Sequence, residues 1–284
     1  MRISEAYSAV YPLFSPDLSP ASRERHGWDL RRFYVLIGDK EIEEITTKDY
    51  QLFRVRSKEA GHSASTTETT LRTVRQTLNA CAELGQLQAL PFKGRGRRLK
   101  RPKPRPATID ELGIFWHATI AATWPRNTPW GRPRDYWRGW GAIAYWTALR
   151  LHDLTWTLSM KHVYRDHIEL TAEKTGIEHV FPLTDNVRRV LSKYQGDDSQ
   201  PLFQVCESPN MIRKHLRLIC EAAEIRKLIP RNFRQSSITQ WTRAGGRAGD
   251  LIHGCGMSAV LNAYLDPLEI LAEVAPRVVW PFPV

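Results

Sequence analysis

Cysteine is scarce in this sequence, and its few cysteines are widely spaced. The four residues, Cys81, Cys206, Cys220 and Cys255, are spread over a chain of 284 residues, and none belongs to a CxxC pair. Disulfide-rich scaffolds and zinc sites both show closer and more regular cysteine spacing. We therefore expect reduced thiols, and the sequence predicts neither a disulfide framework nor a bound metal or other cofactor.

Long apolar runs are also absent. A helix that crosses a bilayer needs roughly 18 to 20 consecutive, mostly apolar residues, and no stretch of this sequence approaches that length. The N-terminus has no uninterrupted apolar core of the kind that a signal peptide carries. We expect a soluble, cytoplasmic protein, and the 42% of residues that are apolar are ample for packed cores.

Acidic residues are missing from the most basic stretch of the chain, residues 93–106. It reads KGRGRRLKRPKPRP, and its eight basic residues account for most of the formal net charge of +11, which leaves +3 for the remainder. Its two Gly and three Pro exclude a regular helix or strand. The sequence therefore predicts an extended linker here, between one domain over 1–92 and a second over 107–284.

A flexible basic linker suits a nucleic-acid backbone. Cationic side chains that bind phosphates release counterions, which gives an affinity that is independent of sequence and weakens with salt. Net charge alone also fits a membrane surface, and a solvated tether or a localisation signal is the alternative interpretation of the run. The candidate DNA-binding residues of the linker are Arg95, Arg97, Arg98, Lys100, Arg101 and Lys103.

Residues 19–91 show the apolar periodicity of helices. Helix starts are indicated at Ser19, at Thr47 and at Ser65, the last because Ser65 and Glu68 have the spacing of a capping box. The sequence predicts a small helical bundle in which Arg72 and Arg75 are candidate DNA contacts, although a solvated helix face explains them equally well. The same polar faces carry Arg54, Arg56 and Lys58.

The second domain is predicted to combine helices with one β-hairpin. Thr108 opens a helix by its capping-box spacing to Glu111, and the apolar segment 140–151 predicts a buried helix that ends near Arg150. Two alternating runs, at 167–172 and 179–183, flank a Lys-Thr-Gly turn and predict a hairpin with Lys174 at its tip.

Four residues of this domain could together act on a phosphodiester. Tyr264 offers a nucleophile, Arg150 and Arg234 offer guanidinium groups, and Lys174 offers an ammonium group. Three of them also have a simpler interpretation when taken alone. Arg150 could form a structural ion pair with Asp153, Lys174 could be solvated in its turn, and Tyr264 could be a packed aromatic residue.

The order of these residues resembles the tyrosine recombinase (phage integrase-like) family over nearly the whole chain. The family pattern T-G-L-R-x-x-E-L is similar to residues 147–154, TALRLHDL, and the family's HxxR motif is similar to residues 231–234, RNFR. The family lysine lies in a β-hairpin like that around Lys174. A family stretch like L-G-H-S-x-x-x-T-x-x-Y resembles residues 252–264, which end on Tyr264.

The resemblance implies both a fold and a reaction. The fold would be mainly α with a small β-sheet: a helical core-binding (SAM-like) N-terminal domain and a mixed α+β catalytic domain. The protein would be a site-specific recombinase that cleaves and rejoins double-stranded DNA through a 3′-phosphotyrosine at Tyr264. Arg150 and Arg234 would hold the phosphate and Lys174 would protonate the leaving oxygen. A DNA-assembled tetramer, monomeric in free solution and associated with the nucleoid, would carry out the exchange.

Two catalytic positions depart from the family pattern. Arg231 stands where histidine is usual, and Cys255 stands where histidine or tryptophan is usual. An arginine side chain can donate hydrogen bonds but cannot accept the tyrosine proton, and a thiol is a weak donor. The alternative is therefore a catalytically impaired DNA-binding accessory or regulatory protein with the same fold, and an unrelated basic helical protein is a third hypothesis.

Two further features leave alternatives open. The tryptophans between residues 116 and 146 could stack on bases or pack in the core, and core packing is the favoured interpretation. The apolar stretch at 268–274 could dock on a neighbouring subunit or on its own domain.

Overall fold

The computed structural model describes residues 1–14, 18–90, 105–206, 208–246 and 267–283. The chain divides into two compact units, Met1–Pro102 and Lys103–Val284. The boundary falls within the predicted basic linker, and the linker's candidate DNA-binding residues lie outside the described ranges. Arg105 and Pro106, which end the predicted linker, are instead held to the second unit, because their carbonyl groups accept hydrogen bonds from Asn232 and Arg226.

The first unit is a helical bundle. Its helices are α1 (Ile3–Phe14), α2 (Pro20–Ile37), α3 (Thr47–Glu59) and α4 (Ala64–Glu83), with a 3₁₀ turn at Ile42–Glu44. Helix α1 is not predicted from the sequence, and Pro12 lies inside it. It forms because Ile3, Ala6 and Val10 recur at helical spacing and are buried in the core of this unit.

The start of α4 lies two residues before the predicted one. Ser63, rather than Ser65, caps this helix, and its hydroxyl accepts a hydrogen bond from the N–H of Thr66 at 3.1 Å. Glu68, the expected partner in a capping box, instead accepts hydrogen bonds from both Nε and Nη2 of Arg54 on α3, at 2.7 and 3.2 Å. A bidentate ion pair between two helices thus replaces the predicted local cap.

The second unit combines helices with a two-stranded hairpin. Its helices are α5 (Ile109–Ala118), α6 (Pro133–Thr147), α7 (Asp185–Leu191), α8 (Pro209–Ala222), α9 (Pro230–Arg243) and α10 (Pro267–Val274). Strands β1 (His167–Thr171) and β2 (Glu178–Pro182) pair antiparallel, with His167 opposite Pro182. Short 3₁₀ turns lie at Thr119–Ala121, Met160–His162 and Ala275–Arg277. The predicted hairpin and the mainly α fold with a small β-sheet are confirmed in these described residues.

Helix α6 differs from the predicted buried helix at both ends. It begins at Pro133, where a proline at the first position is pre-set for helical φ and Asp135 lies in the first turn. It ends at Thr147, because Ala148 adopts a left-handed conformation with φ of 49° and ψ of 19°. Arg150 was predicted to lie at the end of this helix. In the structure it lies beyond the helix, three residues after Thr147.

The tryptophans of the second unit are core residues. Trp137 and Trp140 are fully buried, and Trp146 packs on Trp241 with ring centroids 5.0 Å apart. The indole N–H groups of Trp137 and Trp146 donate to backbone carbonyls at 2.7 and 2.8 Å, so burial leaves these donors satisfied. The core interpretation of these aromatic residues is correct.

The C-terminal segment packs on its own unit. Phe282 is buried and stacks on Trp116 with ring centroids 5.1 Å apart, and it meets the ring of Tyr145 edge-on. The hydroxyl of Tyr145 donates a hydrogen bond to the carbonyl of Val279. Leu271 and Val274 of the apolar stretch at 268–274 are also buried in the core of this unit. No helix within the described ranges is long and apolar enough to span a bilayer.

Candidate active site

Arg150 and Arg234 come close together although 84 residues separate them in sequence. Helix α9, which carries Arg234, packs on α6, and Arg150 follows α6 directly. Burial, reinforced by the nearby positive charge of Arg150, lowers the pKa of Arg234 to about 10, and Asp153 opposes this shift. Two like charges and one carboxylate therefore share a partly buried region.

Asp153 links Arg150 to the hairpin. Its carboxylate is 1% exposed, and Oδ2 lies 4.0 Å from Nη1 of Arg150, which is ion-pair distance without a direct hydrogen bond. Its other oxygen, Oδ1, accepts a hydrogen bond from the backbone N–H of Glu173 at 3.3 Å. Within the described residues, neither Arg150 Nη1 nor Asp153 Oδ2 has a hydrogen-bond partner, although both atoms are buried.

A π-helical turn follows Arg150 and spans Asp153–Thr157. The N–H of Leu158 donates to the carbonyl of Asp153 at 2.8 Å, and the N–H of Leu154 donates to the carbonyl of Arg150 at 2.9 Å. Such turns are rare and occur frequently at functional sites. Here the wider turn fixes the backbone on both sides of Asp153, next to Arg150.

Lys174 lies in the turn of the hairpin, where its side chain is exposed. The carbonyl of Ala172 accepts hydrogen bonds from the N–H groups of Thr175 and Gly176, at 3.2 and 2.8 Å. Gly176 has a φ of +63°, which a glycine adopts without steric cost. The neighbouring residue Glu173 contacts His152 as well as Asp153, with Oε2 3.0 Å from Nδ1 of His152. Lys174 is thus next to a residue that touches the Arg150 segment.

Helix α9 is fixed at its start by a residue that sequence analysis did not single out. Asn232 accepts a hydrogen bond at Oδ1 from the N–H of Ile229 at 2.7 Å, and its Nδ2 donates to the carbonyl of Arg105 at 2.8 Å. Phe233 is fully buried between Phe115 and Trp140. Phe233 is the apolar residue of the RNFR motif and is flanked by polar residues. This pattern is the sequence signal that indicates a buried anchor at the start of the helix.

Arg231 and Arg234 are three residues apart on this anchored helix and therefore lie on neighbouring positions of its surface. Arg234 is half-buried, whereas Arg231 is exposed in the first turn. The structure thus places Arg231 on the same helix as Arg234 and nearer to solvent.

Tyr264 and Cys255 lie outside the described residues. The described residues on either side of them belong to one packed core. A Cβ built on Gly246 would be 3.0 Å from the carbonyl oxygen of Trp241 and 3.5 Å from Cγ1 of Val274. The end of α9 and the end of α10 are therefore neighbours within the second unit.

The candidate DNA contacts of the first unit differ from each other. Arg72 is exposed on α4, whereas Arg75 is half-buried. Burial raises the pKa of Tyr50, and the charges of Arg75 and Arg54 oppose that shift, so both guanidinium groups lie near the tyrosine. Arg56 donates to the carbonyl of Leu36 at 2.6 Å. Of the two residues proposed from the sequence, Arg72 is therefore the exposed one.

Sequence analysis also missed a groove on the first unit, between α2 and α4. Its volume is about 430 Å³, and its lining combines an aromatic ring, two guanidinium groups, the carboxylates of Glu24 and Asp29, and hydroxyl groups. The Trp28 side chain is 55% exposed, and the Arg31 guanidinium lies 5.7 Å from its ring centroid. The residues that line the groove include Arg25, Trp28, Arg32, Ser65, Thr66 and Thr69.

Solved structures similar to this one cover nearly the whole chain. A lambda integrase tetramer bound to a Holliday junction superposes with a TM-score of 0.71 over 94% of this chain and 78% of that one, at 14% identity. A lambda integrase dimer bound to a COC′ core site superposes with a TM-score of 0.70 over 94% of this chain and 96% of that one, at 15% identity. The Tn1549 transposon integrase in complex with transposon right end DNA superposes with a TM-score of 0.65 over 99% of this chain and 95% of that one, at 13% identity.

Sequence comparison gives no further identification, because no protein-family model and no curated protein matches this chain. The structural similarity extends over both units and includes the mainly α arrangement with its small β-hairpin. Identities of 13 to 15% are too low to transfer an activity, and they establish the fold alone. This chain has the tyrosine recombinase fold.

Proposed function

We propose that this protein is a site-specific DNA recombinase that cleaves and rejoins DNA through a 3′-phosphotyrosine at Tyr264. One observation carries the proposal. Two guanidinium groups, of Arg150 and Arg234, share a partly buried region, and a buried N–H of Arg150 has no hydrogen-bond partner among the described residues. A buried donor without a partner is costly, and a bound anion would satisfy it.

A phosphodiester is the anion that best fits this arrangement. Its two non-bridging oxygens can each accept hydrogen bonds from a planar guanidinium group. As Tyr264 attacks phosphorus, negative charge grows on these oxygens, and two fixed cations in a partly buried region stabilise that charge more than water does. Arg150 and Arg234 are therefore assigned to the scissile phosphate.

The remaining residues are assigned by the chemistry of the step. The Tyr264 hydroxyl forms the new bond to phosphorus and loses its proton to solvent water, and the bond from phosphorus to the 5′-oxygen breaks. Lys174, in the exposed hairpin turn, gives a proton to that departing oxygen. Attack by a DNA 5′-hydroxyl on the phosphotyrosine reverses these events, so the proposed exchange conserves the phosphodiester bond energy.

Double-stranded DNA is the proposed partner. The three similar structures described above are DNA complexes, and two of them are a dimer and a tetramer of lambda integrase. The basic run with Arg95, Arg97 and Arg98 adds salt-sensitive affinity for the phosphate backbone. We propose that the protein is a monomer in solution and assembles as a tetramer on DNA, in the cytoplasm where the nucleoid lies.

A second candidate function is DNA binding without cleavage. It is favoured by Arg231, which occupies the position of the usual histidine and is exposed at the start of α9. An arginine at this position can bind phosphate but cannot take up the tyrosine proton. Loss of one acid–base group costs a factor of roughly 10² to 10⁴ in rate, so this candidate predicts specific DNA binding with no covalent product.

The test is detection of a covalent protein–DNA adduct. Purified protein is incubated with a library of nicked duplex DNA fragments that carry candidate sites, which trap the adduct because the cleaved strand end diffuses away. Denaturing electrophoresis then separates adducts, whose DNA is sequenced to give the cleaved site. The proposal requires an adduct that Tyr264→Phe abolishes while its DNA affinity stays the same. Specific binding of both proteins without any adduct would support the second candidate instead.

A further inference from the structure

Glu173 attaches the turn that carries Lys174 to the Arg150 segment. The backbone N–H of Glu173 donates to Asp153 Oδ1 at 3.3 Å, and its carboxylate Oε2 lies 3.0 Å from Nδ1 of His152. His152 and Asp153 are consecutive, and Glu173 directly precedes Lys174. Both contacts therefore reach the residue next to the lysine.

The two contacts differ in burial. Asp153 is almost fully buried and holds the backbone of the turn, whereas the side chains of His152 and Glu173 are 57% and 66% exposed. The ring of His152 also packs against Trp156, with ring centroids 5.4 Å apart. Contact with an indole on one side limits the rotamers of the imidazole and leaves its Nδ1 directed at Glu173.

We propose that His152 is a positioning residue for Lys174. Its contact with the Glu173 carboxylate, at 3.0 Å, limits the motion of the hairpin turn, and the ammonium group of Lys174 then stays within reach of the oxygen that leaves the phosphate. This role rests on the function proposed above, because it assumes that Lys174 protonates that oxygen. It does not require His152 itself to touch DNA.

The chemistry of the leaving group gives a way to isolate this role. An alkoxide is a poor leaving group, since its conjugate acid has a pKa near that of water, about 15.7, and it needs the proton from Lys174. A thiolate, whose conjugate acid has a pKa of about 8.5, leaves without a proton. Replacing the 5′-bridging oxygen of the cleaved phosphodiester by sulfur therefore removes the need for a correctly placed Lys174.

The experiment measures single-turnover adduct formation on two DNA substrates that differ only in this oxygen or sulfur atom. On the oxygen substrate, His152→Ala and Glu173→Ala should each be about two- to fivefold slower, the range expected for an exposed ion pair. The double variant should be no slower than either single one. Lys174→Ala should be slower by roughly 10² to 10⁴. On the sulfur substrate, all four variants should match the wild-type rate.

Two control variants accompany this comparison. His167→Ala removes another histidine–carboxylate contact of the same hairpin, 2.7 Å from Asp166, at the end of β1 remote from the turn. This variant should form the adduct at the wild-type rate on both the oxygen and the sulfur substrate. Arg150→Ala should slow both substrates, because phosphate stabilisation does not depend on the leaving group. Wild-type speed of His152→Ala on the oxygen substrate, or equal slowing on both substrates, would overturn the positioning role.

A second measurement is independent of catalysis. Amide hydrogen exchange reports directly on the turn, where the N–H of Glu173 is bonded to Asp153 and that of Gly176 to Ala172. His152→Ala should speed exchange at these amides and leave the β1–β2 ladder unchanged. Unchanged exchange overturns the positioning role alone. A wild-type protein that forms no adduct on either substrate overturns that role together with the proposed function.

Discussion

Arg226 donates two hydrogen bonds to the carboxylate of Glu111, from Nε at 2.5 Å and from Nη2 at 2.9 Å. Glu111 belongs to the first turn of α5, and it also accepts from the N–H of Thr108 at 2.8 Å. Nη2 of Arg226 donates in addition to the carbonyl of Pro106 at 2.7 Å. This bidentate pair therefore fixes the point where the chain enters the second unit.

The pair predicts a stability that depends on pH. Burial acts to raise the pKa of Glu111, but the hydrogen bonds from Arg226 and Thr108 outweigh it and hold that pKa below its ordinary value of 4.5. A lowered carboxyl pKa contributes stability above pH 4.5 that is lost as the pH falls through the folded-state value. Glu111→Gln should cost about 1 to 3 kcal/mol at pH 7, and less at acidic pH.

Thermal unfolding of wild type and Glu111→Gln between pH 3 and 7 measures this effect. Glu221→Gln is the matched control, because Glu221 forms an exposed pair with Arg217 at 3.4 Å and such pairs contribute little. A difference between wild type and Glu111→Gln that stays constant over this pH range would contradict the assignment of stability to the ionised carboxylate.

Much of the fold follows from local sequence signals. The capping pair of Thr108 and Glu111, the Gly176 turn and the alternating runs on either side of it gave α5 and the hairpin correctly, because these devices act over a few residues. The start of α4 was wrong because Glu68 binds Arg54, on another helix. A sequence pattern does not reveal which of two partners a carboxylate takes.

The candidate site could be predicted only in part. Arg150, Asp153 and Arg234 were recognised by type and order, but their proximity results from the packing of α6 on α9, which no local pattern encodes. Asn232 was missed because its role is set by a hydrogen bond to the carbonyl of Arg105, distant in sequence. The contact between His152 and Glu173 was missed for the same reason.

The exposed side chain of Arg72 allows a test of whether the first unit binds DNA. Its guanidinium is exposed on α4, so Arg72→Gln should leave stability unchanged and remove about one phosphate contact. DNA affinity should then fall for all sequences, and the slope of log affinity against log salt should decrease by about 1. Arg54→Gln is the comparison, because it breaks the ion pair with Glu68 and should lower stability. An unchanged salt slope for Arg72→Gln would place this face away from DNA.

Phe282 predicts that the C-terminal segment stabilises its own unit. Its ring is 3% exposed and contacts Trp116 and Tyr145, so Phe282→Ala should cost about 3 to 5 kcal/mol. Val279 is 50% exposed nearby, and Val279→Ala should have almost no effect. Denaturant unfolding at several protein concentrations distinguishes the alternatives. A midpoint that depends on concentration in wild type but not in Phe282→Ala would show that the segment docks on a neighbouring subunit.

Substitutions of Ala148 test whether the backbone before Arg150 holds a left-handed conformation. It has a φ of 49° and is 1% exposed, and left-handed conformations cost an L-residue with a Cβ about 1 to 2 kcal/mol. Ala148→Gly relieves this cost but loses a buried methyl group and adds unfolded-state entropy, so its stability should lie within about 1 kcal/mol of wild type. Ala148→Val should cost more than about 2 kcal/mol, because a β-branched residue at positive φ is strained and the larger side chain enters a buried position. Chemical denaturation of both variants measures the difference, and adduct formation by Ala148→Gly should persist. Equal stability of the glycine and valine variants would mean that this residue does not hold a left-handed conformation.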